Sequence, residues 1–407
     1  MFSSIKNNIS KSLFFAISLF AFLISVSIAI RNDTGTRNLY IYQAEAFQHG
    51  RLDVSESRGN VAFFEDKYYV PFPPFPAILL LPIKTISANV NTTLISLFLT
   101  ILNVIIAKNI LKKLNTDKFV GYWLLLAFFL GTGYWLAVIR SSGVWYFAHV
   151  VSMTFVLLSI RETLGNGRGV IAGLFLGFAF LSRQLTIYLS IFIVASLVTN
   201  HYNDTRTKKV WTTTSFLIAL GACVLVYLVY NYLRFGNPFD TGYSYLKLGS
   251  LLNSRVERFG LFNIAYVPIN VIYMFFQGPH FEFQGTLIPQ TMDPFGTSIT
   301  FASPFLFFAF FAKCNKLIKI SAWSAISISL IHMMLYYNNG LVQVNTQRFT
   351  LDFLPLLLVL VALSLTSVKK YLSFFYLSVV YSVTLNIIAL LLFPHIKDFL
   401  TIMRAVL

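Results

Sequence analysis

The chain has 407 residues, of which 57% are hydrophobic and 11% charged, and its mean hydropathy is +0.71. That balance excludes a water-soluble globular protein. The formal net charge is +16, but the Lys and Arg residues are scattered through short connections between apolar runs. Membrane orientation accounts for them, and a nucleic-acid partner is not expected. Cys223 and Cys314 offer neither a disulfide framework nor metal-ligand spacing.

Apolar runs of roughly 17 to 25 residues recur, the length a helix needs to cross about 30 Å of hydrocarbon. They predict an all-α polytopic membrane protein, one integral-membrane domain over residues 1–407 with about eleven transmembrane helices and juxtamembrane helices on the outer face. The first run, residues 12–30, follows Lys6 and Lys11. It exceeds the roughly 7–15-residue core of a secretory signal and reads as a retained crossing with the amino terminus cytoplasmic.

A polar stretch then opens the first outer loop, residues 31–90. Asp33 lies just past the apolar run, where a carboxylate near the membrane surface is costly unless paired or used. It could pair with Arg31 or Arg37, cap a helix starting near Thr36, or act as a general base. That helix, over 39–50, would stop at Gly50. Arg51 beside it is a helix-end residue or a phosphate contact. The sequence from Lys67 to Pro76 carries Tyr68-Tyr69-Val70-Pro71 and three further prolines. It leads into a helix expected to lie along the outer surface, opened by Pro73 and Pro74.

Crossings are expected over 92–111, 119–139, 144–160, 169–181, 185–199 and 211–232. They place Lys108, Lys112, Lys113, Arg161, Arg168, Lys208 and Lys209 on the inner side. A second long outer loop, 234–297, contains Asp240 in a turn and a second surface helix over 261–276. Crossings over 298–312, 320–337, 349–366 and 371–393 complete the scheme. Every short inward connection is then basic, as orientation requires.

Four further residues fall at or just inside the outer ends of spans: Arg140, His149, Arg183 and Arg348. Arg suits a bidentate grip on phosphate, and ionisable groups within a span are functional candidates. The plain alternatives are snorkelling arginines and a hydrogen-bonded core histidine. Arg348 and Asp352 could also form an ion pair along one helix. No nucleotide loop, dinucleotide glycine pattern, zinc spacing or serine elbow occurs. Any reaction therefore draws on an already activated donor.

The order of these features resembles the GT-C superfamily of integral-membrane glycosyltransferases, in its branch of the protein O-mannosyltransferase and aminoarabinose-transferase (family 39) type. The matching stretches are 33–53, 67–82, 172–183, 230–243 and 347–355. The resemblance implies inverting transfer of a sugar from a polyprenyl-phosphate donor at the outer face of the plasma or inner membrane, a cell-envelope activity. It implies Asp33 as base, although Thr34 follows where many relatives carry a second acid. Arg183 and Arg348, and less closely Arg140, match the arginines that the resemblance implies hold the donor phosphate; His149, Tyr69 and Arg51 complete the candidate substrate-binding set. No large soluble domain follows the spans, so a small or lipid-linked acceptor is expected. No cofactor is demanded, and a divalent cation could assist, though no acidic spacing calls for one. The competing reading is a transporter or flippase of lipid-linked saccharide. The absence of an internal repeat, and the polar residues at span ends instead of mid-span, favour the enzyme.

Overall fold

The computed structural model describes residues 2–31, 38–55, 59–87, 89–200, 205–246, 248–283, 285–338, 348–365 and 369–392. In chain order the helices are α1 (Phe2–Arg31), α2 (Leu39–Gln48), α3 (Phe75–Ile86), α4 (Thr92–Lys113), α5 (Lys118–Leu130), α6 (Tyr134–Ile139), α7 (Val144–Leu164) and α8 (Gly169–Phe180). They continue as α9 (Ser190–Asn200), α10 (Arg206–Phe235), α11 (Ser250–Phe259), α12 (Val267–Val271), α13 (Ile299–Ala302), α14 (Lys316–Met334), α15 (Leu354–Leu365) and α16 (Leu372–Leu392). Two small antiparallel hairpins, β1 (Ala62–Phe64) with β2 (Lys67–Tyr69) and β3 (Phe281–Glu282) with β4 (Thr291–Met292), interrupt an otherwise helical chain.

Five helices, α4, α7, α10, α14 and α16, are long and apolar enough to cross a membrane. Each coincides with an expected crossing, and the protein is a polytopic helical membrane protein. Several other expected crossings are shorter or interrupted, for identifiable reasons. The run 119–139 breaks at Gly131, where α5 ends; the Thr132 hydroxyl turns back to the Phe128 carbonyl at 2.6 Å and accepts from the Tyr134 amide before α6 begins. The run 298–312 is a single turn of α13 followed by a 3-10 segment, Pro304–Phe311, that starts at its proline. The run 349–366 opens as a 3-10 turn, Arg348–Asp352, before α15.

The chain forms two compact units, one of Met1–Ser25, Val104–Ala137 and Phe262–Leu407, the other of Val26–Asn103 and Val138–Leu261. In the first unit, Asn386 of α16 donates to the Leu130 and Thr132 carbonyls freed where α5 breaks, and Ser303 donates to the Gly131 carbonyl. Buried side-chain donors thus satisfy the backbone groups that the break exposes. In the second unit, α8 lies against α10 along Gly169, Gly173 and Gly177. A Cβ at these positions would collide with the Thr212 carbonyl, the Phe216 carbonyl and the Cys223 side chain in turn. Small residues four apart let two helix backbones approach, the usual means of close packing where lipid supplies no hydrophobic drive.

In the polar stretch after α1 the described residues begin at Asn38. The helix expected to start near Thr36 with Asp33 as its cap starts at Leu39, and Asn38 caps it: its Oδ1 accepts from the Tyr40 amide at 3.0 Å, while its Nδ2 donates to the Ser141 carbonyl at 2.9 Å. Asp33 lies outside the described residues. Gly50 does end the helix, with φ of +65°. The β1–β2 turn at Glu65 and Asp66, both with positive φ, is an element the sequence reading lacks; two acidic residues at left-handed positions are a weak turn signal. After β2, α3 begins with Pro74 at its cap and Pro76 in its first turn.

Candidate functional site

In the second unit, one end of the helices gathers polar and aromatic side chains from four stretches of chain. α2 contributes Tyr40 and Gln43, one turn apart on its buried face. The end of α8 leads through Ser182 to Arg183, which is half-buried and precedes a 3-10 turn, Gln184–Leu189. α10 contributes Tyr227, Tyr230, Asn231 and Arg234 along one face. The loop after α10 supplies Asp240, Tyr243 and Tyr245.

These groups are tied together by hydrogen bonds. Gln43 Nε2 donates to the Tyr230 hydroxyl at 2.5 Å, and Gln184 Nε2 to the Tyr227 hydroxyl at 2.8 Å. Arg183 is close enough that its charge acts on the Tyr40 hydroxyl. Burial pushes that hydroxyl well above the usual tyrosine range, the neighbouring Tyr243 adds to the rise, and Arg183 opposes it. Tyr40 is therefore a neutral hydrogen-bonding group at any physiological pH.

Arg234 is buried at the end of α10 and held on every side. Its Nη1 donates to the Val70 carbonyl at 2.6 Å, Nη2 to Asn231 Oδ1 at 2.7 Å and Nε to the Tyr230 carbonyl at 3.3 Å. Its guanidinium also lies 3.7 Å from the Tyr230 ring centroid. This arginine fastens the exit of β2 to α10. Asn231 in turn donates to the Pro238 carbonyl at 3.1 Å. Asp240 closes the next turn, accepting from the Gly242 amide and the Tyr245 hydroxyl, both at 2.8 Å; it is the turn residue its sequence context predicts.

The candidates read from the sequence separate into groups. Tyr69 is buried edge-on against Phe235 at 5.4 Å, and its hydroxyl is raised by burial, with the Asp53 and Glu65 charges adding. Arg51 stands at the surface, 3.5 Å from Asp53, with its Nη2 donating to Ser55 at 3.1 Å. Arg140 is half-buried in the turn before α7. The Ser141 carbonyl in that same turn receives both Asn38 Nδ2 and the Thr92 hydroxyl. His149 is buried within α7. Arg348 belongs to the other unit, buried at the start of the 3-10 turn before α15 with its guanidinium 5.0 Å from the Phe349 ring. Asp352 closes the same turn and is also buried.

Tyr40, Gln43, Tyr227, Tyr230 and Arg234 were not among the candidates. Their signal is helical spacing: 40 and 43 on α2, and 227, 230 and 234 on α10, each put polar groups on one face. Asp293 in the first unit was also missed. It is buried, accepts from the Phe295 amide at 2.8 Å and lies 3.9 Å from His280 Nδ1. Among the described residues no three His, Cys, Asp or Glu side chains are grouped to hold a metal ion.

No family model matches the chain, and no curated protein matches it in sequence. Its structure is similar to the crystal structure of ArnT from Cupriavidus metallidurans bound to undecaprenyl phosphate, at 14% identity and a TM-score of 0.47, over 89% of this chain and 62% of that one. The apo structure of the same protein gives 12% identity and a TM-score of 0.44, over 89% and 61%. The chain thus spans about three fifths of the length of the solved structures it is similar to.

Proposed function

We propose that this protein is a glycosyltransferase that moves a sugar from a polyprenyl-phosphate donor to an acceptor hydroxyl at the outer membrane face. The observation that carries the reading is Arg183. It is a half-buried cation at the end of an apolar helix, set beside the neutral buried Tyr40 with Tyr227, Tyr230 and Tyr243 around it. Arg234 nearby is fully buried and fastens backbone to ring, whereas Arg183 is half-buried; the phosphate of the donor is assigned to Arg183 on that difference in exposure. A polyprenyl chain lies in lipid with its phosphate at the interface, which is the depth of a helix end. Tyrosine hydroxyls and amides at the same level suit the hydroxyls of a sugar.

The reaction follows from those parts. The acceptor oxygen attacks the anomeric carbon as the bond from that carbon to the phosphate oxygen breaks, inverting the centre. The acceptor proton passes to the Asp33 carboxylate, and Arg183 stabilises the charge that develops on the departing lipid phosphate. Asp33 comes five positions before Asn38, a reach of roughly 18 Å at most, and Asn38 is pinned to the turn that follows Arg140. Roles for Arg140, His149, Tyr69, Arg51 and Arg348 rest on their sequence positions.

The test is binding of a polyprenyl phosphate to the full chain in nanodiscs. A charge-assisted hydrogen bond contributes about 1.5–3 kcal/mol, so Arg183→Ala is expected to weaken binding by about tenfold or more, and Arg183→Lys by less. Equal binding by all three proteins would remove the phosphate role from Arg183.

A further inference from the structure

In the first unit, the β3–β4 hairpin is rooted in the protein and ends in exposed apolar side chains. At the root, Phe281 pairs with Met292 and Glu282 with Thr291, and Thr291, Met292 and Asp293 are buried. At the tip, Leu287 is 99% and Ile288 69% exposed, with Phe283 at 45% on the way up. From Phe283 to Met292 the sequence carries no charged residue.

Two carbonyls near the tip, those of Phe283 and Ile288, find donors within the loop. The Thr286 hydroxyl lies 2.7 Å from the Phe283 carbonyl and 2.6 Å from the Ile288 carbonyl. Gln290 Nε2 donates to the Ile288 carbonyl at 3.0 Å, and the Gln290 amide to the Glu282 carbonyl at 2.8 Å. The Thr286 amide donates to the Phe283 carbonyl at 2.8 Å, and Pro289 has no amide hydrogen to place. A loop can leave water only if its carbonyls find donors within the protein. A solvated loop has no such need.

The hairpin cannot stray far from the bilayer. It leaves the apolar segment that ends at Phe276 and re-enters the apolar run that begins at α13. Its two ends are clamped together by the Ser298 amide on the Gln277 carbonyl at 2.8 Å and by the Thr300 hydroxyl on the Phe275 carbonyl. The polar groups His280 and Glu282 stand at the root, 3.6 Å apart, and the tip carries no ionisable residue. We infer that this hairpin seats Leu287, Ile288 and Phe283 in the headgroup–acyl boundary of the bilayer that the helices cross, as a fixed interfacial anchor. The occupant is lipid: the patch is small, apolar and uncharged, and it belongs to a chain whose helices are long and apolar enough to cross a bilayer.

The test places an environment-sensitive fluorophore on Leu287→Cys in a Cys314→Ser background, the buried Cys223 being left in place, with Ser55→Cys as the water-exposed reference. The full chain is reconstituted in phosphatidylcholine–phosphatidylglycerol nanodiscs. The expected result is blue-shifted emission at 287, quenched by lipids spin-labelled near the headgroup and unquenched at 55. Emission at 287 matching the reference overturns the inference. So does a blue shift without lipid quenching, which would mean that protein covers the tip. Near-native elution of both labelled proteins separates these outcomes from misfolding.

Discussion

Arg183 and Arg234 belong to the same end of one unit and differ in burial, Arg183 being half-buried and Arg234 buried. Arg234 donates to two carbonyls and an amide oxygen and lies on an aromatic ring, so its charge is compensated within the fold. Removing it strands the Val70 carbonyl and Asn231 together. Bonds to a charged group contribute about 1.5–3 kcal/mol each, so Arg234→Ala is expected to cost about 3 kcal/mol or more, read as a lowered thermal-unfolding midpoint in detergent. Arg234→Lys should restore little of it, since one ammonium cannot span three separated acceptors while lying flat on Tyr230. Asp293 gives a pH signature. Burial raises its carboxyl above the usual range, against the opposing Phe295 amide and His280. The folded protein therefore holds that proton more tightly than the unfolded chain. The associated stability is present below the unfolded value of about 4 and is lost as pH rises through the folded one. Asp293→Asn keeps an acceptor for the Phe295 amide. It should raise the neutral-pH unfolding midpoint, and this gain should shrink toward zero as the pH is lowered to about 4; a constant gain at all pH values would show that the charge is not its source.

At the scale of elements, the contact between α8 and α10 is set by three glycines at four-residue spacing. Gly177→Leu would drive a side chain into Cys223 and the α10 backbone, where overpacking costs about 1–3 kcal/mol and often more. Expression and thermal stability should fall sharply, and Gly173→Ala should show a smaller loss of the same sign; unchanged stability in both would mean that α8 and α10 do not pack this way in the membrane. Composition and run length made the long spans legible, because a helix that crosses lipid must be apolar throughout. They made α5–α6 and the 304–311 segment look like uninterrupted crossings, because hydropathy does not register where Gly131 or Pro304 breaks a helix. The two hairpins were invisible for another reason: strands of two or three residues have no periodicity to read. Asp240 and Gly50 were legible, since turn and helix-stop chemistry is local.

For the whole molecule, the candidate site was legible only in part. Arg183 stood out because a charge at the end of an apolar run is conspicuous from sequence. Tyr40, Gln43, Tyr227 and Tyr230 did not, because tyrosine and glutamine on a helix face are ordinary until another helix is placed against them. The hydrogen bond between Gln43 and Tyr230 joins positions 187 residues apart in the sequence, a separation no local pattern encodes. The proposed activity draws on these residues together with Asp33, and the sugar-transfer reaction itself is the most direct test. Purified full-length protein would be reconstituted with a radiolabelled sugar on polyprenyl phosphate and a panel of hydroxyl acceptors, and compared with a folded Asp33→Asn variant. The account predicts transfer by the native chain and a loss of about a hundredfold or more in the variant, the scale of removing a general base. Native protein that transfers nothing across the panel, yet moves the lipid-linked sugar between leaflets, would contradict it and make the chain a transporter.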